Sequence, residues 1–377
     1  MNNQTSEATQ LFIGLMSGTS VDAVDAVLVE FDGTQPNTIA HIESDIPPAL
    51  RRDILTLSTP GDDHVDLLGH TDHAIGELFA ATAQQLLAKS GIRPEQITAI
   101  GSHGQTVRHR PPEAVEAHPF TLQIGDPNII AQRTGITTVA DFRRRDMAAG
   151  GHGAPLAPAL HNSLFRHPQR NRAVVNLGGI ANITWLPAGE DAIGYDTGPA
   201  NMVMDDWCQL QLQQPYDENG QWAASGKVQL ELLKRFMAHP YLQRPTPKST
   251  GREDFNLTWL QRTLTELGGD LPAQDVQATL LEFTARTVAD AIKNCGTVNE
   301  VFLCGGGAFN GQLTARLEAM LHPAQVATTA VLGIDPKQVE CVAFAWMAKR
   351  TLEKLPGNLP AVTGAESDVV LGGVYFS

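Results

Sequence analysis

The stretch Leu11–Phe31, LFIGLMSGTSVDAVDAVLVEF, constrains this chain more than any other. An almost unbroken apolar run, Leu11–Met16, turns through Ser17, Gly18, Thr19 and Ser20 and leaves on a second largely apolar run, Val24–Phe31. Two such runs around a short Ser/Gly/Thr turn predict a β-hairpin. Gly18 lets the backbone approach a ligand closely. The hydroxyls of Ser17, Thr19 and Ser20 and the local N–H groups can point at an anion. Asp22 and Asp25 follow at once. Carboxylates beside a phosphate cradle repel phosphate unless a cation lies between them, so the pair points to Mg²⁺, with Asp22 its nearer neighbour.

The second half repeats the pattern. Ala173–Leu177, the turn Gly178-Gly179, and Ile180–Leu186 predict another hairpin with a glycine tip. One hairpin opening each half suggests a duplicated α/β unit with a ligand between the copies. Between and after the hairpins, strands alternate with helices. Strands are expected at 38–44, 97–102, 120–124, 136–140 and 300–304. Helices are expected at 48–59, 63–90, from 128, at 272–294, from 310 to 321, and from Asp335 as N-cap to 352. Residues 141–153, DFRRRDMAAGGHG, are expected to form an exposed loop near a domain boundary. Their three consecutive arginines fit a solvated surface and an anion-binding wall equally well. The proline-rich segment 240–251 is a lid or boundary candidate.

Near the C-terminus a strand runs into Gly305-Gly306-Gly307 and then a helix, a geometry that brings backbone near a base or a phosphate. The common P-loop and the dinucleotide fingerprint are both missing from the sequence. Asp25 could also be a strand-edge carboxylate satisfied locally. His103 reads as a buried group holding a loop, with no proton-transfer role.

Charge narrows the partners. Forty-one acidic residues against 27 basic ones give a formal charge of −14. Such a surface repels nucleic acid and anionic lipid, so neither is an expected partner. The four cysteines, Cys208, Cys295, Cys304 and Cys341, form no C-x-x-C pair. The N-terminus shows no signal-peptide pattern and no run is long enough to span a bilayer, so a cytoplasmic protein is expected.

Two Gly-tipped hairpins and a late glycine turn resemble the superfamily of sugar kinases, actin and 70-kDa heat-shock ATPases. Within it, IGLMSGTSVDAVDA, SHGQTVRHRP, LQIGDPNIIA, DFRRRDMAAGGHGAPLAP, NLGGIANIT, GYDTGPAN and CGGGAFN resemble the anhydro-N-acetylmuramic acid kinase family, in order over nearly the whole chain. The chain departs from the family's commonest form at Ala23 and Ala200, where glycine is usual or frequent.

The resemblance implies a two-lobed, actin-like ATPase fold with a duplicated mixed-sheet unit and a deep inter-lobe cleft. The N-terminal lobe is expected over 1–145 and the C-terminal lobe over 146–377, with a hinge near 141–155. It implies ATP-dependent opening of the 1,6-anhydro bridge of anhydro-N-acetylmuramic acid, with phosphorylation of O6, in cell-wall recycling. Asp196 matches the family's base and Glu340 a second carboxylate that orients water. Gly18, Thr19, Ser20, Val21, Asp22, Ala23, Val24 and Asp25 would wrap the ATP phosphates. Gly178 and Gly179 would face them, and Gly305, Gly306 and Gly307 would approach adenosine. Gln123, Asp126 and Arg143 are the sugar-site candidates. Homodimers are common among such folds. The alternatives are an ordinary amino-sugar kinase that leaves no bridge cleaved, and a non-catalytic actin-like nucleotide switch.

Overall fold

The computed structural model describes residues 9–33, 35–59, 61, 64–112, 118–246 and 248–377. Asp63, where the second helix was expected to begin, Pro247 of the proline-rich segment and the first eight residues lie outside that set. Two compact units emerge, one of residues 1–160 with 338–377, the other of residues 161–337. The chain passes from first to second within the helix Ala157–Leu164. This departs from the expected division at 145/146, and the last forty residues pack with the first unit rather than the second. Segment 141–155 therefore lies wholly inside one unit.

The first unit is built on β1 (Gln10–Met16), β2 (Ala23–Asp32), β3 (Gln35–Asp45), β4 (Ile97–Ser102), a small ribbon of β5 (Gln105–Arg110) and β6 (Phe120–Ile124), and β7 (Thr138–Ala140). β1, β2 and β3 form an antiparallel meander. β4 runs parallel beside β1, and β7 parallel beside β4. The second unit holds β8 (Arg172–Leu177), β9 (Ile180–Leu186), β10 (Ile193–Pro199), β11 (Glu300–Cys304) and β12 (Gln325–Thr328). Here β8, β9 and β10 form the meander, β11 runs parallel beside β8, and β12 beside β11. The final strand, β13 (Gly373–Tyr375), pairs with β7. With β13 set aside, the sheets read β3-β2-β1-β4-β7 and β10-β9-β8-β11-β12. Order and direction match strand for strand. The repeat that the two hairpins suggested is a repeat of topology, and the fold is the two-lobed, actin-like α/β class.

The apolar runs are continuous because both faces of β1 are covered. One face carries Ile13 and Leu15, which share a core with Ile75, Phe79 and Leu86 of the helix Val65–Ser90. The stripe that this helix buries is Thr71, Ile75, Phe79, Thr82 and Leu86. A period-3.6 reading of the sequence places Leu67, His70, Ala74, Leu78, Ala81 and Leu86 on one face; the buried stripe is rotated from that set, and His70 is exposed. On the other face of β1 lies the helix Val339–Leu352. A Cβ on Gly14 would sit 1.9 Å from the carbonyl oxygen of Cys341, and one on Gly101 2.0 Å from that of Phe344. Gly14 and Gly101 are partners across β1 and β4, so the helix backbone rests directly on a two-glycine saddle.

In the second unit the helix Ala273–Cys295 buries Leu281, Ala285, Val288 and Ile292, which step by four, three and four along one face. Pro272 is its N-cap residue rather than part of its first turn. Two other boundaries differ. Residues Phe142–Ala148 are helical, not loop. Asp335 does not cap a helix; its carboxylate accepts from Lys337 N at 2.9 Å, and the helix begins at Val339.

Candidate active site

The first hairpin tip is held mostly from within. Ser17 Oγ is buried, 2.6 Å from Gln105 Oε1 and 3.0 Å from Ala23 O. Its one proton is shared between those acceptors, so Ser17 is a brace and not the anion donor expected of it. Gln105 Nε2 donates to Gly18 O at 3.2 Å. Thr19, Ser20 and Asp22 are exposed and Gly18 half-buried. Buried Val21 takes φ 56°, a conformation that costs a β-branched residue about 1–3 kcal/mol and marks a constrained turn. Arg51 Nε donates to Val21 O at 3.1 Å and Nη2 to Ser20 O at 3.2 Å. That guanidinium stands 3.6 Å from Asp22 Oδ1. Asp25 is engaged locally: its Oδ1 lies 3.0 Å from His41 Nε2 on the neighbouring strand. Ala23 and Val24 are buried in the sheet.

Among the described residues no three His, Cys, Asp or Glu side chains converge as a metal cage. A Mg²⁺ that arrives with phosphates needs only one or two carboxylates and keeps several waters. The exposed carboxylate of Asp22 has the donor chemistry for that.

At the start of the helix Val339–Leu352, Glu340 reaches solvent. The crowding of protein around its carboxyl raises its proton affinity, Arg143 lowers it, and Asp25 raises it further. Arg143 projects from the helix Phe142–Ala148. Its Nε and Nη2 lie 3.1 and 2.9 Å from His103 Nε2, and Nη1 donates to Gly153 O at 2.9 Å. Burial, then the Arg143 charge, holds the His103 pKa well below the ordinary histidine value. The ring is therefore neutral and accepts from Arg143, while packing tilted against Phe344 with ring centres 4.6 Å apart. His103 is buried as its sequence reading has it, and what it holds is the Arg143 side chain. Arg143 is half-buried, and burial pulls its own pKa down to about 10. Arg144 pairs with Asp141, and Arg145 is exposed.

Of the remaining sugar-site candidates, Gln123 Nε2 donates to Thr121 and Thr106 hydroxyls at 2.7 and 3.1 Å. Asp126 caps the helix Pro127–Thr134, with Oδ1 accepting from Asn128 N at 2.8 Å.

In the second unit the two glycine turns pack on each other. A Cβ on Gly305 would meet Asn176 Oδ1 at 2.4 Å and the Leu177 backbone at 2.9 Å. One on Gly307 would meet Leu177 Cβ at 2.7 Å and Asn201 Oδ1 at 2.9 Å. Gly305 also holds φ 77°. On Gly306 the nearest atom would be 3.8 Å away, and this residue is exposed. Thus Gly305 and Gly307 are glycine for packing, and Gly306 alone presents open backbone. Gly305→Ala should cost roughly 2 kcal/mol or more, whereas Gly306→Ala should melt like the parent. Thermal melts of the two variants check this; equal melting temperatures would count against it. The expected strand–glycine–helix passes through a 3₁₀ turn at Gly306–Phe309 before the helix Gly311–Leu321, whose N-cap is Asn310. In the hairpin itself, Ala200 N donates to Gly179 O and Asn201 N to Gly178 O, at 2.9 and 3.0 Å. Gly178 and Gly179 have no atom within 3.4 Å of a Cβ placed on them.

Asp196 sits where β10 slips register against β9: Asp196 faces Asn182 and Gly198 faces Ala181, leaving Thr197 as the extra residue. Such bulges bend a strand and re-aim its side chains. Gly198, at φ 145°, completes the bend. One carboxylate oxygen, Oδ2, accepts from Thr250 N and Ser249 Oγ, both at 3.0 Å. Oδ1 has no hydrogen-bond partner among the described residues. Burial pushes the pKa up to about 6, the Thr250 and Ser249 hydrogen bonds oppose that, and Glu253 adds to it. The result is a carboxylate with one oxygen fixed, one free, and a proton affinity near neutrality. Such a carboxylate can take up a proton near neutral pH. Nothing in the sequence marked Ser249 or Thr250; they lie some fifty residues away in the proline-rich segment.

All four cysteines are free thiols, and among the described residues no helix is long and apolar enough to cross a membrane.

A model of the anhydro-N-acetylmuramic acid kinase family matches residues 10–377. The anhydro-N-acetylmuramic acid kinase of Coxiella burnetii strain Dugway 5J108-111 is 52% identical over 368 residues, covering 97% of each chain. That of Shewanella amazonensis is 52% identical over 366 residues, covering 97% of this chain and 98% of the relative. Among solved structures, the activator of the 2-hydroxyisocaproyl-CoA dehydratase from Clostridium difficile aligns at 12% identity and TM-score 0.45, over 92% of this chain and 98% of that one.

Proposed function

This chain belongs to the anhydro-N-acetylmuramic acid kinase family, and from that premise we propose a water-and-ATP reaction centred on Asp196. The substrate is 1,6-anhydro-N-acetylmuramic acid. Water adds its oxygen to C1, the C1–O6 bond breaks, and O6 takes the γ-phosphoryl group of ATP. The products are N-acetylmuramic acid 6-phosphate and ADP, within the recycling of cell-wall sugar. The water's surplus proton goes to Asp196 and then to solvent. The departing O6 would ordinarily need a general acid; bonding to phosphorus replaces that need. One base therefore suffices.

What supports Asp196 in this role is its asymmetry, with one oxygen clamped and the other free at a strand bulge. Glu340 serves as the second carboxylate, orienting the water, and Arg143, Gln123 and Asp126 serve the sugar. The turn from Gly18 to Asp25 takes the phosphates, with Gly178, Gly179 and Gly306 offering backbone to the nucleotide. Mg²⁺ held through Asp22 would neutralise charge on the phosphate chain. Use of ATP favours the cytoplasm as the place of work.

Heavy-oxygen water tests the reaction. Incubation with ATP, Mg²⁺ and the anhydro sugar should yield a phosphorylated product with one labelled oxygen at the anomeric carbon. Preformed product standing in the same water serves as the control for slow hemiacetal exchange. A phosphorylated product still carrying its bridge, or no product at all, would overturn the reading in favour of an ordinary amino-sugar kinase or a nucleotide switch.

A further inference from the structure

The proline-rich segment lies inside the second unit, and it holds Asp196. Tyr241 Oη donates to the Asp196 carbonyl at 2.6 Å, and Asp196 N donates to Lys248 O at 3.2 Å. Ser249 and Thr250 then close on the Asp196 carboxylate. The segment is braced by its own contacts. Lys248 Nζ donates to Leu242 O at 3.1 Å and lies 4.8 Å from the centre of the Tyr241 ring. Thr250 Oγ1 donates to Asp254 Oδ2 at 2.8 Å, and Arg244 reaches Asp254 at 3.4 Å. Four hydrogen bonds from this one strap thus grip Asp196 by backbone and side chain, and both side-chain bonds go to the same oxygen.

We propose that Ser249 is a positioning residue, which with Thr250 N immobilises Oδ2 of Asp196 and so dedicates Oδ1 to the reacting water. The inference rests on the reading of Asp196 as base. A carboxylate with two equivalent oxygens can rotate either toward the substrate, and it loses attack geometry each time it does. Two donors on one oxygen remove that freedom. They also stabilise the charged form, since a hydrogen bond to an ionised group favours ionisation. The charged and titratable groups around Asp196 are Glu253, which raises its proton affinity, and the Tyr241 phenol and Lys248 ammonium of the same strap. None of these changes when Ser249 is altered. The hydroxyl of Ser249 is therefore a separable control.

The test is the pH dependence of kcat/KM for the anhydro sugar at saturating ATP, in the parent, Ser249→Ala and Ser249→Thr. Loss of the donor makes Asp196 hold its proton more tightly, so the acid limb moves to higher pH. A charge-assisted hydrogen bond corresponds to about one pH unit, hence roughly tenfold lower kcat/KM on the acid side. Above the limb a smaller loss remains, the attack geometry forfeited when Thr250 N alone holds Oδ2. Ser249→Thr keeps the hydroxyl and should restore the parent profile. Should Ser249→Ala fail to fold, Ser249→Cys supplies a weaker donor and should give a smaller shift in the same direction. An acid limb that stays at the parent pH, whether or not the rate falls uniformly, overturns the proposal. Asp196→Asn in the same assay separates the two ideas. If that variant turns over normally, the base assignment itself fails; if it is inactive while the Ser249→Ala limb is unmoved, only the clamp fails.

Discussion

Asp196→Asn is expected to lower kcat by about 10²–10⁴-fold, the range a positioned general base supplies, while ATP binding survives. The substitution is close to isosteric. The asparagine carbonyl can accept from Ser249 Oγ and Thr250 N as Oδ2 does now, leaving the amide nitrogen where Oδ1 stood. The strap and the bulge then persist, and only the ability to take a proton is lost. Isothermal titration with an ATP analogue, set beside single-turnover kinetics, checks both halves; loss of binding together with turnover would point to a structural aspartate. In the parent the same group sets the pH profile. Burial has raised its folded-state pKa to about 6, and the base must be ionised to act. Accordingly kcat/KM should climb with pH up to about 6, level off above it, and fall about tenfold per unit below it. The Asn variant should lose this limb.

What could be read in the residues alone depended on how locally each feature is specified. The hairpins were legible because β1 and β2 are covered on both faces, which turns alternation into continuous apolar runs, and because their tips must be small and polar. The glycine turn after β11 was legible for a similar reason, although sequence does not separate Gly305 and Gly307, which pack against Leu177 and Asn201, from Gly306, which does not. Features set by distant partners were missed. Ser17 looks like an anion donor until Gln105 arrives from 88 residues away. Residues Phe142–Ala148 read as loop because three arginines and the glycines after them resemble a solvated break. The helix forms nonetheless, with the buried Asp146 carboxylate accepting from Gly153 N, Asn358 and Thr363. Two of those partners come from the last forty residues, whose membership in the first unit no local pattern announces. Asp335 satisfies its own turn rather than a helix start, a choice that Asp-Pro sequences leave open. The Asp196 clamp is of the same kind: the aspartate was visible in its motif, the groups that hold it were not.

Gly14→Ala and Gly101→Ala should each cost about 3 kcal/mol or more, at the upper end of what overpacking does to a core. A methyl at Gly14 would lie 1.9 Å from Cys341 O and 2.8 Å from its carbonyl carbon; one at Gly101 would lie 2.0 Å from Phe344 O and 2.7 Å from its carbon. These are backbone atoms of a helix, so no rotamer change relieves the overlap. The whole helix Val339–Leu352 must lift from the sheet, and with it go the contacts of Phe344 with His103 and Phe142, at 4.6 and 5.6 Å between ring centres. Glu340, one residue before Cys341, is displaced at the same time, so activity should fall before the protein unfolds. Because one displacement relieves both clashes, the double variant should cost less than the sum of the singles, a coupling that a double-mutant cycle reads directly. Gly69→Ala supplies the internal control. It makes the same chemical change near the start of the helix Val65–Ser90, at an exposed site with nothing within 4 Å of the new methyl. There alanine should stabilise by about 0.8–1 kcal/mol through helix propensity. Urea melts of the three single variants should therefore split in sign, and a Gly14 or Gly101 variant that melts with the parent would mean that the helix does not rest on the sheet as closely as the two glycines require.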